Sequence, residues 1–294
     1  MPLTLDQRIR EDLEDLLFNH ELSKAIDLND SHVLRDKVST KGLPIYYTGM
    51  RDAKTVLVML NPRQDAVEAD WDYRCQVYKL FIDDQHGLNT FFNTYLDSMT
   101  NYGRIDRHRY EPFDLKQACF LQDWVGCGVT FPVVNGEKDK RNIELTSKEN
   151  VLTQKLQLEL VPYCSSTFGI NKNKQDFLMP YLETIFNEIF AHERTYVIFC
   201  SNIFSSLFNI YNHWTQREYF INMSTKMPVP APPSAMIGHC TKLYIKKKKD
   251  ENNNEIVGIP AIIAHTFPKR NLVRDAKRMR EYGKACFDHF NSKP

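Results

Sequence analysis

The chain has 294 residues, 42% of them hydrophobic, and a formal net charge of +1. That length and apolar content exclude a largely disordered chain and suffice for one large α/β core. No basic-then-apolar leader opens the sequence and no run approaches the roughly eighteen apolar residues that span a bilayer, so a cytoplasmic protein with no membrane partner is expected.

Leu5 to Ile26 has helical spacing and an acidic face, which predicts one or two amphipathic helices packed on the outside of the domain. Lys54 to Asn61 is the first buried strand. Trp71 to Met99 reads largely helical, with Phe81, Leu88, Phe91, Phe92, Tyr95 and Leu96 at apolar positions. Residues 101–150 mix a helix at Asp114–Trp124 with a polar loop around 136–141. Leu156 to Val161 is a second strand that runs into Pro162-Tyr163-Cys164-Ser165, and Phe177 to Phe190 is helical. Thr195 to Cys200 is a short β-rich run, with Ser201-Asn202 as the cap of a helix through Ile210. Lys242–Lys246 and Ile256–Ile263 bracket the polar stretch 247–255, the pattern of a hairpin with a long tip. A basic helix over Leu272–Phe290 closes the sequence.

Strands alternating with helices predict a single three-layer α/β/α domain over 51–294, with a mainly parallel central sheet. Residues 1–50 form a helical segment packed on that core, and residues 101–150 elaborate it. Seven cysteines, at 75, 119, 127, 164, 200, 240 and 286, are odd in number and scattered, without a C-x-x-C pair. Neither a disulfide framework nor a metal site is expected, and most of the thiols are assigned to the core.

Charge is unevenly distributed. Residues 1–30 carry eight acids against three bases, whereas 242–284 carry twelve Lys/Arg against five Asp/Glu, which points to a polyanion-facing surface in the C-terminal part. Function in parallel sheets gathers at the carboxyl ends of strands. Three ends are polar here: Asn61-Pro62, Pro162-Tyr163-Cys164-Ser165, and His265-Thr266-Phe267-Pro268 followed by Lys269-Arg270-Asn271. Singly, each is a turn or a structural histidine. Together they bring an amide, a tyrosine and an imidazole to one end of a sheet beside basic residues. No Gly-rich phosphate loop and no G-x-S-x-G elbow supports a phosphoryl transferase or a serine hydrolase.

Met59-Leu60-Asn61-Pro62 and His265-Thr266-Phe267-Pro268 resemble, in order and wide separation, the two motifs of the uracil-DNA glycosylase superfamily, Gly-x-(Asp/Asn)-Pro and His-Pro-Ser-Pro. Val161-Pro162-Tyr163-Cys164 is similar to the Asn-Tyr-Cys-Pro segment of that superfamily's single-strand-selective branch. The resemblance spans about residues 50–290. It implies a monofunctional DNA glycosylase that acts as a monomer on DNA without cofactor or metal. Asn61 would orient the attacking water and His265 would donate a hydrogen bond to the departing base. Asp65 is either a general base or the cap of a following helix. Tyr73 or its rival Trp71 would stack on the flipped base, with Tyr163 and Phe168 also on the base-binding side. Phe267 would fill the space left by the extruded nucleotide, and Lys269, Arg270, Asn271 and Arg274 would hold phosphates.

Three departures qualify the match. Met59 stands where the family has Gly, Thr266-Phe267 replaces Pro-Ser, and Pro162 falls where the uracil-reading Asn would be. Without that amide a pocket lacks the hydrogen bonds that tell uracil from cytosine, so a modified base is the expected substrate, in repair or in defence against phages with modified DNA. The alternative is a catalytically silent DNA- or nucleotide-binding module of the same fold.

Overall fold

Among the described residues, eight strands build the sheet: β1 (Tyr47–Gly49), β2 (Thr55–Met59), β3 (Lys155–Glu159), β4 (Tyr196–Phe199), β5 (Tyr219–Met223), β6 (Met227–Val229), β7 (Gly238–Lys247) and β8 (Ile259–Ala264). The computed structural model describes residues 3–62, 87–101, 112–127, 154–165, 169–215, 217–232, 235–249, 254, 258–267 and 276–292. The hydrogen-bonded order is β1-β3-β2-β4-β8-β7-β5, with β6 on β7. The architecture is mixed α/β with one large sheet, parallel at β2-β4-β8 and antiparallel from β8 through β7 to β5 and β6.

Residue type sorts the two halves of the sheet. Thr55-Val-Leu-Val-Met59 and Tyr196-Val-Ile-Phe199 are buried at every position, as parallel strands covered on both faces must be. Tyr219–Met223 instead alternates buried and exposed residues, the mark of an antiparallel strand with one solvated face. β7 and β8 form the hairpin expected from the sequence, with Ile245 opposite Ile259 and Cys240 opposite Ala264. Strand bounds differ from the sequence reading by one to four residues; Leu160, Val161 and Cys200 continue as buried chain beyond β3 and β4, and β7 begins four residues earlier than expected.

The chain divides into two compact units. One comprises Met1–Thr48, Met59–Thr100 and Leu158–Ala191; the other comprises Gly49–Val58, Asn101–Gln157 and His192–Pro294. The first contains α1 (Leu5–Glu14), a π-helical turn at Asp15–Asn19, α2 (Ser23–Asp30), α3 (Leu88–Thr100), a 3-10 helix at Lys172–Leu178 and, after α4 (Pro112–Leu121) of the second unit, α5 (Met179–Phe190). Thr4 starts α1 with a capping box: its hydroxyl accepts from the Gln7 N–H, and its own N–H donates to the Gln7 side chain. The buried stripe of α1 holds Leu5, Ile9 and Leu13 but also Arg8 and Asp12, which an outside helix would turn to solvent. Arg8 donates to Thr184 Oγ1 and to the Pro180 carbonyl, and its guanidinium lies over the Tyr181 ring. Asp12 accepts from Lys24 and from the Tyr46 hydroxyl, both at 2.8 Å.

The second unit contains α4 (Pro112–Leu121), α6 (Ile203–His213) and α7 (Ala276–Asn291). α4 and α7 touch at Gly283, where a Cβ would sit 2.0 Å from the Phe120 carbonyl oxygen, so no larger residue fits without moving a backbone. Trp124 reinforces the contact by donating to the Gly283 carbonyl at 3.0 Å. Around it Phe120, Trp124, Tyr196, Tyr282, Phe287 and Phe290 meet edge-to-face or tilted, at centroid distances of 5.1–6.1 Å. Among the described residues no helix is long and apolar enough to cross a membrane.

Candidate functional site

Asn61 follows β2 by two residues, in the first unit. The chain beyond β2 runs beside the chain beyond β3: Leu160 N–H donates to Met59 O, Val161 N–H to Leu60 O, and Ser165 N–H to Pro62 O. This pairing sets a cradle for the Asn61 side chain. Its Nδ2 lies 2.7 Å from Ser165 Oγ, 3.2 Å from the Pro62 carbonyl oxygen and 3.4 Å from that of Tyr163. Two of those three are carbonyls, which only accept, so the amide nitrogen must face them and the opposite flip is excluded. Asn61 Oδ1 has no hydrogen-bond partner among the described residues. The side chain is thus an acceptor held in one orientation by its own nitrogen.

Tyr163 takes part through its carbonyl. Its ring turns inward, is 1% exposed, and meets Tyr181 edge-to-face at 6.4 Å. The hydroxyl lies near Asp12, Tyr46 and Tyr181 without a well-formed hydrogen bond to any of them. Burial, then the neighbouring Tyr46 and Asp12, push its pKa well above the usual tyrosine value. Burial likewise raises the Asp12 carboxyl against the opposing pull of Lys24, Tyr46 and Tyr163.

His265 follows β8 directly, in the second unit. Its N–H donates to the His239 carbonyl on β7, and its Nε2 lies 2.7 Å from Thr241 Oγ1. The β7–β8 register makes this pairing possible, because it sets Thr241 opposite Ile263, two residues before the histidine. The next residue is fixed as firmly. Thr266 Oγ1 accepts from the His239 N–H, Thr266 N–H donates to the Tyr282 hydroxyl, and that hydroxyl donates to the His239 carbonyl. Burial foremost, with Lys226 and His239 adding positive field, pulls the His265 pKa from 6.5 down to about 4. The ring is therefore neutral at physiological pH and carries one N–H. If Thr241 donates to Nε2, that proton sits on Nδ1, where a neutral donor is available.

Phe267 is buried, 8% exposed, with its ring 5.4 Å from Phe120 in the aromatic cluster of the second unit. Asp65, Trp71, Tyr73, Phe168, Lys269, Arg270, Asn271 and Arg274 lie outside the described residues. Several described cations of the C-terminal region face internal partners. Arg280 grips Asp123 with two bonds of 2.7 Å, Lys247 meets Glu218 at 2.9 Å, Lys284 meets Asp288 at 2.7 Å, and Arg278 donates to the carbonyls of Pro232 and Ala235. The charge excess read from the sequence is thus partly neutralised within the fold.

Within the second unit, β2, β4 and β8 run parallel, with Val58 opposite Phe199 and Phe199 opposite Ile263. Asn61 comes three residues after Val58 and His265 two after Ile263. Sequence reasoning missed Thr241 as the partner of His265, although the hairpin register carried the signal. It named Ser165 without a role, and its hydroxyl is the nearest acceptor to the Asn61 amide. Comparison of this chain with protein-family models, with curated proteins and with solved structures finds no match.

Proposed function

We propose that the chain is a divergent member of the uracil-DNA glycosylase superfamily, a three-layer α/β/α enzyme. It flips a damaged or modified base out of DNA and hydrolyses its N-glycosidic bond, leaving an abasic site. Needing no cofactor, it acts as a monomer in DNA repair or in defence against phages with modified DNA. The observation that carries this proposal is His265: an imidazole directly after a parallel-sheet strand, held by Thr241 and neutral at physiological pH.

Cleavage of the glycosidic bond leaves its electron pair on the base and positive charge on the sugar. Water adds its oxygen to the sugar carbon and releases a proton, and the departing base takes up one. A neutral imidazole N–H suits the carbonyl oxygen of that base, where a preorganised donor lowers the barrier by about 3–4 kcal/mol. Asn61 Oδ1, fixed by the bonds of Nδ2, suits the attacking water. A second reading, the catalytically silent DNA-binding module, draws on Tyr163. Its ring is buried and Pro162 precedes it, so neither offers a base the side-chain amide found in the family.

The test is incubation with DNA carrying a panel of modified bases, followed by alkaline cleavage at abasic sites and mass spectrometry of released base. Release from at least one substrate, abolished by His265→Ala, is expected. DNA binding without release from any member of a broad panel overturns the enzyme in favour of the silent module.

A further inference from the structure

The first unit carries a surface groove of about 650 Å³, away from the Asn61 cradle in sequence but tied to it by backbone. Two segments form its walls: the end of α2 with the turn that follows it, from Asn29 to Lys37, and the entry to the 3-10 helix, from Ile170 to Asn173. A β-bridge joins Leu34 to Ile170, Arg35 N–H donates to Gly169 O at 2.7 Å, and Asn171 N–H donates to Val33 O at 2.9 Å. The Asn171 side chain donates to the carbonyl of His32, a residue in the left-handed region with a φ of 52°. At Gly169 a Cβ would lie 2.9 Å from the Arg35 Cδ and would displace that side chain. Its absence lets the arginine stem lie along the backbone.

The lining is unusual for a small-molecule pocket, which is mostly apolar with a few polar groups. Arg35, Lys37 and Lys172 line this groove with the polar side chains of Asn29, His32, Asn171 and Asn173, and among the described residues no carboxylate lines it. All three cations are exposed, and among the described residues none of them is held in an ion pair. By contrast Lys174, next in the chain, turns to the Ser31 carbonyl. Three unneutralised cations on an open, amide-edged groove fit a run of phosphates. The wall also continues towards Asn61: Ser39 N–H donates to Cys164 O at 2.8 Å, and the adjacent Ser165 holds the Asn61 amide.

We propose that this groove binds the sugar-phosphate backbone of a single DNA strand. That the bound strand is the one presenting its nucleotide to Asn61 rests on the glycosylase proposal; the binding itself does not. Each phosphate neutralised by Lys or Arg releases counterions, so affinity falls with salt by about 0.7 log units per contact per decade on single strands.

The test uses the full chain and a fluorescein-labelled single-stranded oligonucleotide of ordinary bases, read by anisotropy over a salt series. The triple variant Arg35→Ala, Lys37→Ala, Lys172→Ala should bind at least tenfold more weakly near 0.1 M salt, with a log–log salt slope shallower by about 2. Arg35→Lys with Lys37→Arg and Lys172→Arg should restore most of the affinity, and circular dichroism should be unchanged throughout. Inorganic phosphate and a deoxynucleoside monophosphate serve as competitors, and the matching duplex as a second ligand. Wild-type affinity and slope in the triple variant would overturn the proposal. So would full competition by millimolar phosphate or mononucleotide, which marks a free-phosphate site, or a duplex bound as tightly as the single strand through the same residues. Failure of the glycosylase proposal is seen separately, as no base released by a protein whose oligonucleotide binding still depends on the three cations.

Discussion

Acid should expose the environment of His265 as a loss of stability that one substitution removes. The folded-state pKa is about 4 against an ordinary value of 6.5. Between those values the unfolded chain binds the proton and the folded one does not, so stability falls as pH drops through this window and is unaffected above about 7. The whole difference is worth about 3.4 kcal/mol at 1.36 kcal/mol per pH unit, of which about 2.5 kcal/mol is lost between pH 7.5 and 4.5. The ring is partly open to water, and solvent screening reduces this to about 1.3 kcal/mol. Asp12, raised above the usual carboxylate value, works in the opposite direction as acid is added, but it is present in every protein compared.

The assay is urea unfolding of the wild type and His265→Gln at both pH values. Glutamine keeps a polar group near Thr241 and does not titrate. The variant should lose about 1.3 kcal/mol less than the wild type between pH 7.5 and 4.5. Equal acid losses would mean a solvated ring with an ordinary pKa and would remove the physical basis for a neutral donor at this position. If base release is found, its rate should also stay level from pH 8 to about 5.5, where an ordinary histidine would already be largely protonated.

Gly283→Ala should destabilise the chain by about 2–3 kcal/mol in denaturant unfolding, since its Cβ meets the Phe120 backbone; a neutral or stabilising result, as alanine gives in an ordinary helix, would refute the close contact. Tyr46→Phe removes the hydroxyl that donates to buried Asp12 and should cost about 1.5–3 kcal/mol by the same measurement. Asn61→Ala should lower single-turnover excision by about a hundredfold or more with DNA affinity unchanged, because a group acting only in the transition state leaves ground-state binding alone. Ser165→Ala leaves Asn61 two carbonyl acceptors and should cost less, about tenfold; a loss equal to that of Asn61→Ala would transfer the positioning role to the serine.

The sheet was legible where burial is uniform. Val56-Leu-Val58, Tyr196-Val-Ile-Phe199 and Ala261-Ile-Ile-Ala264 are apolar runs with few alternatives, and the Lys-rich tip between β7 and β8 marks a hairpin by itself. The polar side of the core was not legible. Arg8 and Asp12 lie four residues apart on α1, a spacing that equally suits a solvated face, and only tertiary partners decide which face is buried. Lys155, Gln157 and Glu159 alternate with leucines on β3 and look like a solvent face, yet all are buried, with Lys155 Nζ and Gln117 Nε2 both donating to Gln157. In the candidate site, chain position alone gave Asn61 and His265 as strand-end residues. It could not show that Phe267 packs against Phe120 or that the Tyr163 ring turns inward, because an aromatic residue beside a strand end reads alike whether it faces ligand or core.

Buried charge near the amino terminus bears on the same residues. Asp12 sits in the interior because Lys24 and Tyr46 supply its hydrogen bonds, and removing either partner would leave a carboxylate with too few donors. Its third neighbour, Tyr163, is the residue whose carbonyl helps hold the Asn61 amide. Tyr46 also acts on this segment by backbone: its carbonyl accepts from the Glu159 N–H, and Ile45 N–H donates to Pro162 O. The strand extension that carries Asn61's acceptors is therefore gripped from one side by Ile45 and Tyr46 and backed by α1 through Asp12. A side-chain amide aimed at a reacting water gains from such bracing, since rate falls steeply with misplacement of about 1 Å. Helices that contribute no group to the chemistry would then still set its geometry, and the ionic stripe on α1 is the feature by which they do so.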